Sequence, residues 1–146
     1  MMRTLGIDYG ERRVGVAISD PFGSIALGLC TLQVTGMNNA VNQVSEICKE
    51  KDVQTVVVGL PLNMNGSASE MSERVEKFIV KLTERTGLNI ITSDERLSSA
   101  MVERTLLDAD MSRTKRKGVI DKLAAQVILQ GYLDRQAFES GDDMWA

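Results

Sequence analysis

A chain of 146 residues, 43% hydrophobic and 25% charged, has the size and composition of one globular domain whose core needs no staples. It contains no histidine, which excludes Ser-His-Asp and Cys-His catalysis and His-containing zinc sites and leaves carboxylates, lysines, hydroxyls, water or metal to do any chemistry. The net charge of −3 provides no general attraction to polyanions, and an aromatic content of 4% is too low for a surface on which bases stack.

In chain order, residues 3–8 predict a strand, followed by a turn at Gly10-Glu11-Arg12. Val14, Val16 and Ile18 alternate with Gly15, Ala17 and Ser19, the pattern of a half-buried strand. Pro21-Phe22-Gly23 makes a second turn, and residues 25–34 a third strand, so the chain opens as an antiparallel meander. Val41, Val44, Ile47 and Cys48 then recur at helical spacing. Residues 55–59 are a valine run of the kind found in strands covered on both faces. Ser67-Ala68-Ser69-Glu70 fits a capping box ahead of a helix with Met71, Val75, Phe78, Ile79 and Leu82 on one stripe, ended by Gly87. A short strand is expected over 88–92, and helices over 98–108 and 119–137. The order βββ-α-β-α-β-α-α implies an α/β fold: a five-stranded mixed sheet, meander plus parallel strands, flanked by helices in an RNase H-like arrangement.

No repeat or linker interrupts this pattern, so residues 1–138 are expected to form a single domain, with 139–146 as a short acidic tail carrying Glu139, Asp142 and Asp143. Arg3 and Asp8 break the N-terminus before a signal-peptide core can form, and the longest apolar runs fall far short of the ~20 residues of a membrane span, so a cytoplasmic protein without membrane contact is expected. Cys30 and Cys48 sit among apolar neighbours and read as small buried hydrophobes.

Three acids stand out. Asp8, within Gly6-Ile7-Asp8-Tyr9-Gly10, ends a strand beside a tight turn, on the face opposite Leu5 and Ile7; Arg12 and Arg13 follow directly. Its plainer role is to close the turn. Asp94-Glu95-Arg96-Leu97-Ser98 lies past the carboxyl end of a parallel strand, where open α/β sheets bind ligands, and adjacent acids on extended chain point opposite ways, so at most one of them faces Asp8. The plainer account is a solvated loop leading into a helix cap. Asp121 shares a helical line with Ala125, Ile128 and Tyr132, so it either faces the sheet or merely complements the helix dipole. Beside it lie Arg113, Lys115, Arg116, Lys117 and Lys122, either a solvated loop or a set of phosphate contacts at the edge of an acidic site. A phosphodiester substrate requires both features together: carboxylates to hold metal, and cations to hold the backbone against their repulsion. The loop over 59–67 leads into a capped helix and offers backbone donors, but it lacks Walker spacing and reads as a plain turn.

Gly6-Ile7-Asp8-Tyr9-Gly10, Val57-Val58-Gly59-Leu60-Pro61-Leu62-Asn63 with Gly66, Asp94-Glu95-Arg96-Leu97-Ser98, and Lys117-Gly118 and Asp121 with Ala124-Ala125 and Ile128-Leu129 together resemble the YqgF family, in order and over almost the whole chain. Asn65 stands where members often carry Asp. The family comprises bacterial RNase H-like proteins described as Holliday-junction resolvases and as pre-16S rRNA nucleases. The resemblance implies an RNase H-like fold, Asp8, Glu95 and Asp121 as catalytic ligands of Mg²⁺ or Mn²⁺, and maturation of the 5′ end of pre-16S rRNA in the cytoplasm. A two-metal mechanism leaving 5′-phosphate and 3′-hydroxyl ends would follow. Arg12, Arg13, Arg96, Arg113, Lys115, Arg116 and Lys117 are the expected nucleic-acid contacts, the substrate being pre-rRNA or branched DNA; a homodimer is left open. A non-catalytic nucleic-acid-binding module is the main rival, while an actin-like or sugar-kinase-like ATP enzyme would need two such domains.

Overall fold

β-branched and aliphatic residues alternate along the first strands, and their parity sorts them between two helical layers. The computed structural model describes residues 3–63, 65–94 and 113–145. They form β1 (Arg3–Tyr9), β2 (Arg13–Ser19), β3 (Ala26–Gln33), α1 (Met37–Glu50), β4 (Val53–Leu60), α2 (Glu70–Thr86), β5 (Asn89–Asp94) and a long helix, here α3 (Arg113–Trp145). The five strands make one sheet in the order β3-β2-β1-β4-β5. β1, β2 and β3 pair antiparallel, while β4 joins β1 and β5 joins β4 in parallel. This is the expected α/β architecture with a five-stranded mixed sheet. The helix expected over 98–108 lies outside the described residues.

Leu5, Ile7, Val14, Val16, Val56 and Val58 point to one face and join Val44, Cys48, Val75, Phe78 and Leu82 of α1 and α2 in the larger core. Gly6, Gly15, Ala17 and Val57 lie on the other face, under α3, where Ala17, Ala26 and Val57 pack with Ala125, Ile128, Leu129 and Leu133. β2 is therefore buried on both faces from Val14 to Ser19, not half-buried as its alternation suggested. Its small residues face a helix rather than water.

Three glycines seat α3. A methyl group on Gly6 would lie 2.7 Å from Leu129 Cβ, one on Gly15 only 1.9 Å from the Asp121 carbonyl oxygen, and one on Gly28 2.9 Å from Lys122 Cγ. Because β1, β2 and β3 each lack a side chain along this track, the helix backbone settles directly onto the sheet. Gln130 pins the next turn, accepting from Ala26 N–H at 2.8 Å and donating to the Ser24 carbonyl at 3.0 Å.

Two element boundaries differ from expectation for local reasons. The N-cap of α2 is Ser69, whose hydroxyl accepts from Ser72 N–H while the Ser72 hydroxyl takes Ser69 N–H. Ser67, which began the expected capping box, instead serves the preceding turn through Asn65 and Asn63. α3 starts at Arg113, so the basic run expected as a loop is helical, and it continues past 138 through the acidic stretch to Trp145. Lys and Arg are good helix formers and Gly118 alone costs only about 1 kcal/mol. The absence of apolar periodicity in the run concealed the helix.

Candidate active site

Asp8 is the last residue but one of β1, paired with Gly15 in β2. Directly opposed residues of an antiparallel pair present the same face, with Cα atoms about 4.5–5.5 Å apart. Gly15 faces α3 so closely that the Asp121 carbonyl occupies the space of a side chain. Asp8, one strand over, therefore opens onto the α3 face beside the backbone of Asp121, at the carboxyl end of β1. Asp8 is only partly buried. Asp121 is positioned by its own helical line: Ala125 and Ile128 are buried against the sheet, and Tyr132 packs on the same cluster. Asp121 lies on the sheet side of α3, its side chain 20% exposed.

Arg13 opens β2 with the parity of Gly15 and Ala17, and so also faces α3. Its Nε donates to Asp121 Oδ2 at 2.7 Å, a charge-assisted bond at the short end of the range. Arg12 stays exposed in the turn before it. On the other side of the same turn, Glu11 pairs with Arg74 of α2. Behind Asp8, the Tyr9 ring packs on Phe78 with centroids 4.7 Å apart. Burial pushes the Tyr9 phenol above its usual pKa, with Arg74 opposing the shift. The end of β1 that carries Asp8 is thus anchored from the α2 side by a buried aromatic pair and a surface ion pair.

At the neighbouring carboxyl ends, Asp94 closes β5 opposite Leu60. Leu60 packs against the α1/α2 core, so this parity turns Asp94 away from Asp8. In the loop before α2, Gly66 N–H bonds the Asn63 carbonyl and Asn63 N–H the Ser67 carbonyl, the hydrogen bonds of a turn. Glu95 and Arg96 lie outside the described residues. Arg113, Lys115, Arg116 and Lys117 occupy the first turns of α3, Lys117 one turn before Asp121; their side chains lie outside the described part. Among the described residues no three of His, Cys, Asp and Glu form a group fit for a metal ion, and no helix is long and apolar enough to cross a membrane. Cys30 and Cys48 are free thiols; Cys48 is buried as expected, whereas Cys30 is only half-buried.

The Arg13–Asp121 pair and the glycine track were not foreseen. A signal existed for the track: Gly6, Gly15 and Gly28 sit inside strands, where glycine marks a close backbone approach.

A "Putative pre-16S rRNA nuclease" of Shouchella clausii is 47% identical over 138 residues, covering 93% of this chain and 97% of the relative. A Bacillus cereus protein of the same name is 48% identical over 137 residues, covering 92% and 100%. Among solved structures, Thermus thermophilus RuvC in complex with a Holliday junction substrate superposes with a TM-score of 0.58 at 14% identity, covering 94% of this chain and 96% of that one. The fowlpox virus Holliday junction resolvase gives 0.55 at 12% identity, covering 92% and 99%. At such identities the likeness establishes the fold, a RuvC-like RNase H fold. The sequence profile of the RuvX family, described as Holliday junction resolvase, matches residues 2–135, and the chain belongs to that family.

Proposed function

We propose that this protein is a metal-dependent nuclease that hydrolyses phosphodiester bonds, acting in the cytoplasm on the 5′ end of the small-subunit ribosomal RNA precursor. The observation that carries this reading is the seating of Asp121 over Gly15, next to Asp8 in the paired strand. The register and the helix seat support the two acids, far apart in sequence, sharing one face of the sheet. The names of the relatives at 47–48% identity supply the substrate.

The donors suit a hard divalent cation: carboxylate oxygens, no imidazole, no thiolate at the site. A cationic group already lies on Asp121, so the pocket is built for positive charge. Asp8, Asp121 and Glu95 would hold Mg²⁺ or Mn²⁺. Glu95 enters this set on the family resemblance, while Asp94 lies on the α1/α2 face of the sheet, away from Asp8. A metal held there would supply water activation and charge stabilisation at the leaving 3′ oxygen, and 5′-phosphate and 3′-hydroxyl ends would follow.

The rest falls to the chain's own groups. Asp8 and Asp121 fix the place of reaction because one sits on a central strand and the other on a helix locked onto it. Arg12, Arg13, Arg96, Arg113, Lys115, Arg116 and Lys117 hold the flanking phosphates, positioning the backbone rather than reading sequence. Branched DNA is the second substrate to test, on the strength of the family's description.

The deciding experiment is cleavage of a precursor-rRNA leader, duplex DNA and a four-way junction, with Mg²⁺ and with EDTA. Wild-type protein should cut the leader only with Mg²⁺. Asp8→Asn should lose at least about a thousandfold in rate, comparable to removing a key transition-state contact, with an unchanged circular dichroism spectrum. Binding without cleavage by the wild type would make the protein a non-catalytic binding module, and junction cleavage alone would make it a resolvase.

A further inference from the structure

We propose that Arg13 is the resident counter-ion of the active site, holding Asp121 while the site is without metal and competing with the divalent cation for the same carboxylate oxygen. The proposal rests on the reading of Asp121 as a metal-binding acid, and it changes what Arg13 does: the residue serves the carboxylate first and the phosphate second.

Three observations carry it. First, the bond is direct and short, Arg13 Nε to Asp121 Oδ2 at 2.7 Å. Second, the pair is enforced by the fold. Arg13 and Gly15 share a face of β2, and the missing Gly15 side chain brings Asp121 onto that face. Third, the pair is half-shielded, the side chains being 34% and 20% exposed. That shielding makes the attraction stronger than on an open surface, while the open side gives the guanidinium somewhere to go.

The chemistry then forces a choice. Carboxylates brought together repel each other, and Arg13 offsets the charge of Asp121. A dication taking up Asp121 Oδ2 meets a guanidinium on that oxygen, and arginine cannot shed its charge by losing a proton. Arg13 must move. Its side chain starts at the open end of β2, next to exposed Arg12, so it swings toward solvent, where a substrate phosphate replaces the carboxylate as its partner. Metal loading and phosphate capture are thereby linked through one side chain.

The test is Mn²⁺ affinity by titration calorimetry for the wild type, Arg13→Gln, Asp121→Asn and the double variant. Arg13→Gln should bind Mn²⁺ about tenfold more tightly, equivalent to about 1.4 kcal/mol, and the gain should vanish in the Asp121→Asn background. Unchanged or weaker binding by Arg13→Gln, with Asp121→Asn still impaired, overturns the competition and leaves Asp121 as a ligand. Wild-type affinity in Asp121→Asn removes Asp121 from metal binding and the proposal with it. A second measurement needs no variant at Arg13. In the wild type, the Arg13 Nε–Hε resonance should be protected from exchange in EDTA and lose that protection on saturation with diamagnetic Mg²⁺. Protection that persists at saturation overturns the proposal.

Discussion

Gly15 has no side chain, and the Asp121 carbonyl fills the space where one would be, 1.9 Å from the position of a Cβ. No rotamer change relieves such a contact, because both partners are backbone. We expect Gly15→Ala to lift the start of α3 from β2, displace Asp121 and break its bond to Arg13. The stability loss should be at least about 2 kcal/mol, within or above the usual range for overpacking. Chemical denaturation measures it, and a cleavage assay should show activity falling with it. Gly131→Ala is the control: nothing lies within 4 Å of its Cβ position, so alanine should stabilise the helix by about 0.5–1 kcal/mol. An equal response at the two positions would show that space under α3 is not what Gly15 provides. This residue also shows where reading the sequence stopped short. Gly15, Ala17 and Ser19 alternate with valine and isoleucine as the water-facing half of a strand would. Only the third dimension reveals that a helix from more than a hundred positions later, the one whose Asp121 meets Arg13, covers them.

Elements were legible in proportion to the strength of their periodicity. β4 announced itself through Val56, Val57 and Val58, all fully buried, because only a strand sandwiched between helical layers has use for apolar residues on both faces. α2 was legible from its stripe and from Gly87, which takes the left-handed φ of 69° that ends the helix. Its start was displaced by two residues because Ser67 and Ser69 both match a cap, and only the Ser69–Ser72 exchange of hydrogen bonds separates them. That exchange makes a prediction. Ser69→Ala removes an acceptor for Ser72 N–H and a donor to the Pro61 carbonyl, and should cost about 1 kcal/mol. Ser67→Ala should cost only a few tenths, since exposed turn contacts away from caps and cores usually matter little. Thermal unfolding of the two variants compares them directly, and a larger loss at Ser67 would return the cap to the earlier position. Within the candidate site, Asp8 and Asp121 were each legible as an acid on an otherwise apolar element. That the two belong to one site came from the family resemblance and not from any local pattern, because it depends on where α3 crosses the sheet.

At the scale of the whole molecule, the charge is segregated. A chain with net charge −3 concentrates Arg113, Lys115, Arg116 and Lys117 at the start of α3, immediately before the acid that meets the sheet. A helix is a rigid way to carry such charges, and the segment shares its helix with Asp121, Lys117 standing one turn before it. The proposed function makes that segment the phosphate contact of an otherwise acidic molecule. The release of condensed counterions then gives a measure of how many phosphates the segment takes up. The logarithm of affinity falls with the logarithm of salt concentration at about 0.7 per phosphate for single strands and 0.9 for duplexes. Replacing Lys115, Arg116 and Lys117 with glutamine should therefore lower the slope by about 2 on a single-stranded leader and by nearly 3 on a duplex. The loss should be nearly the same for unrelated sequences, because phosphate contacts carry no base information. Fluorescence anisotropy over 50–300 mM salt, in EDTA to hold cleavage at zero, reads the slope directly. A slope unchanged by the triple substitution would mean that the phosphates are held elsewhere, and Arg12, which is exposed beside the carboxylates, would be the next cation to replace.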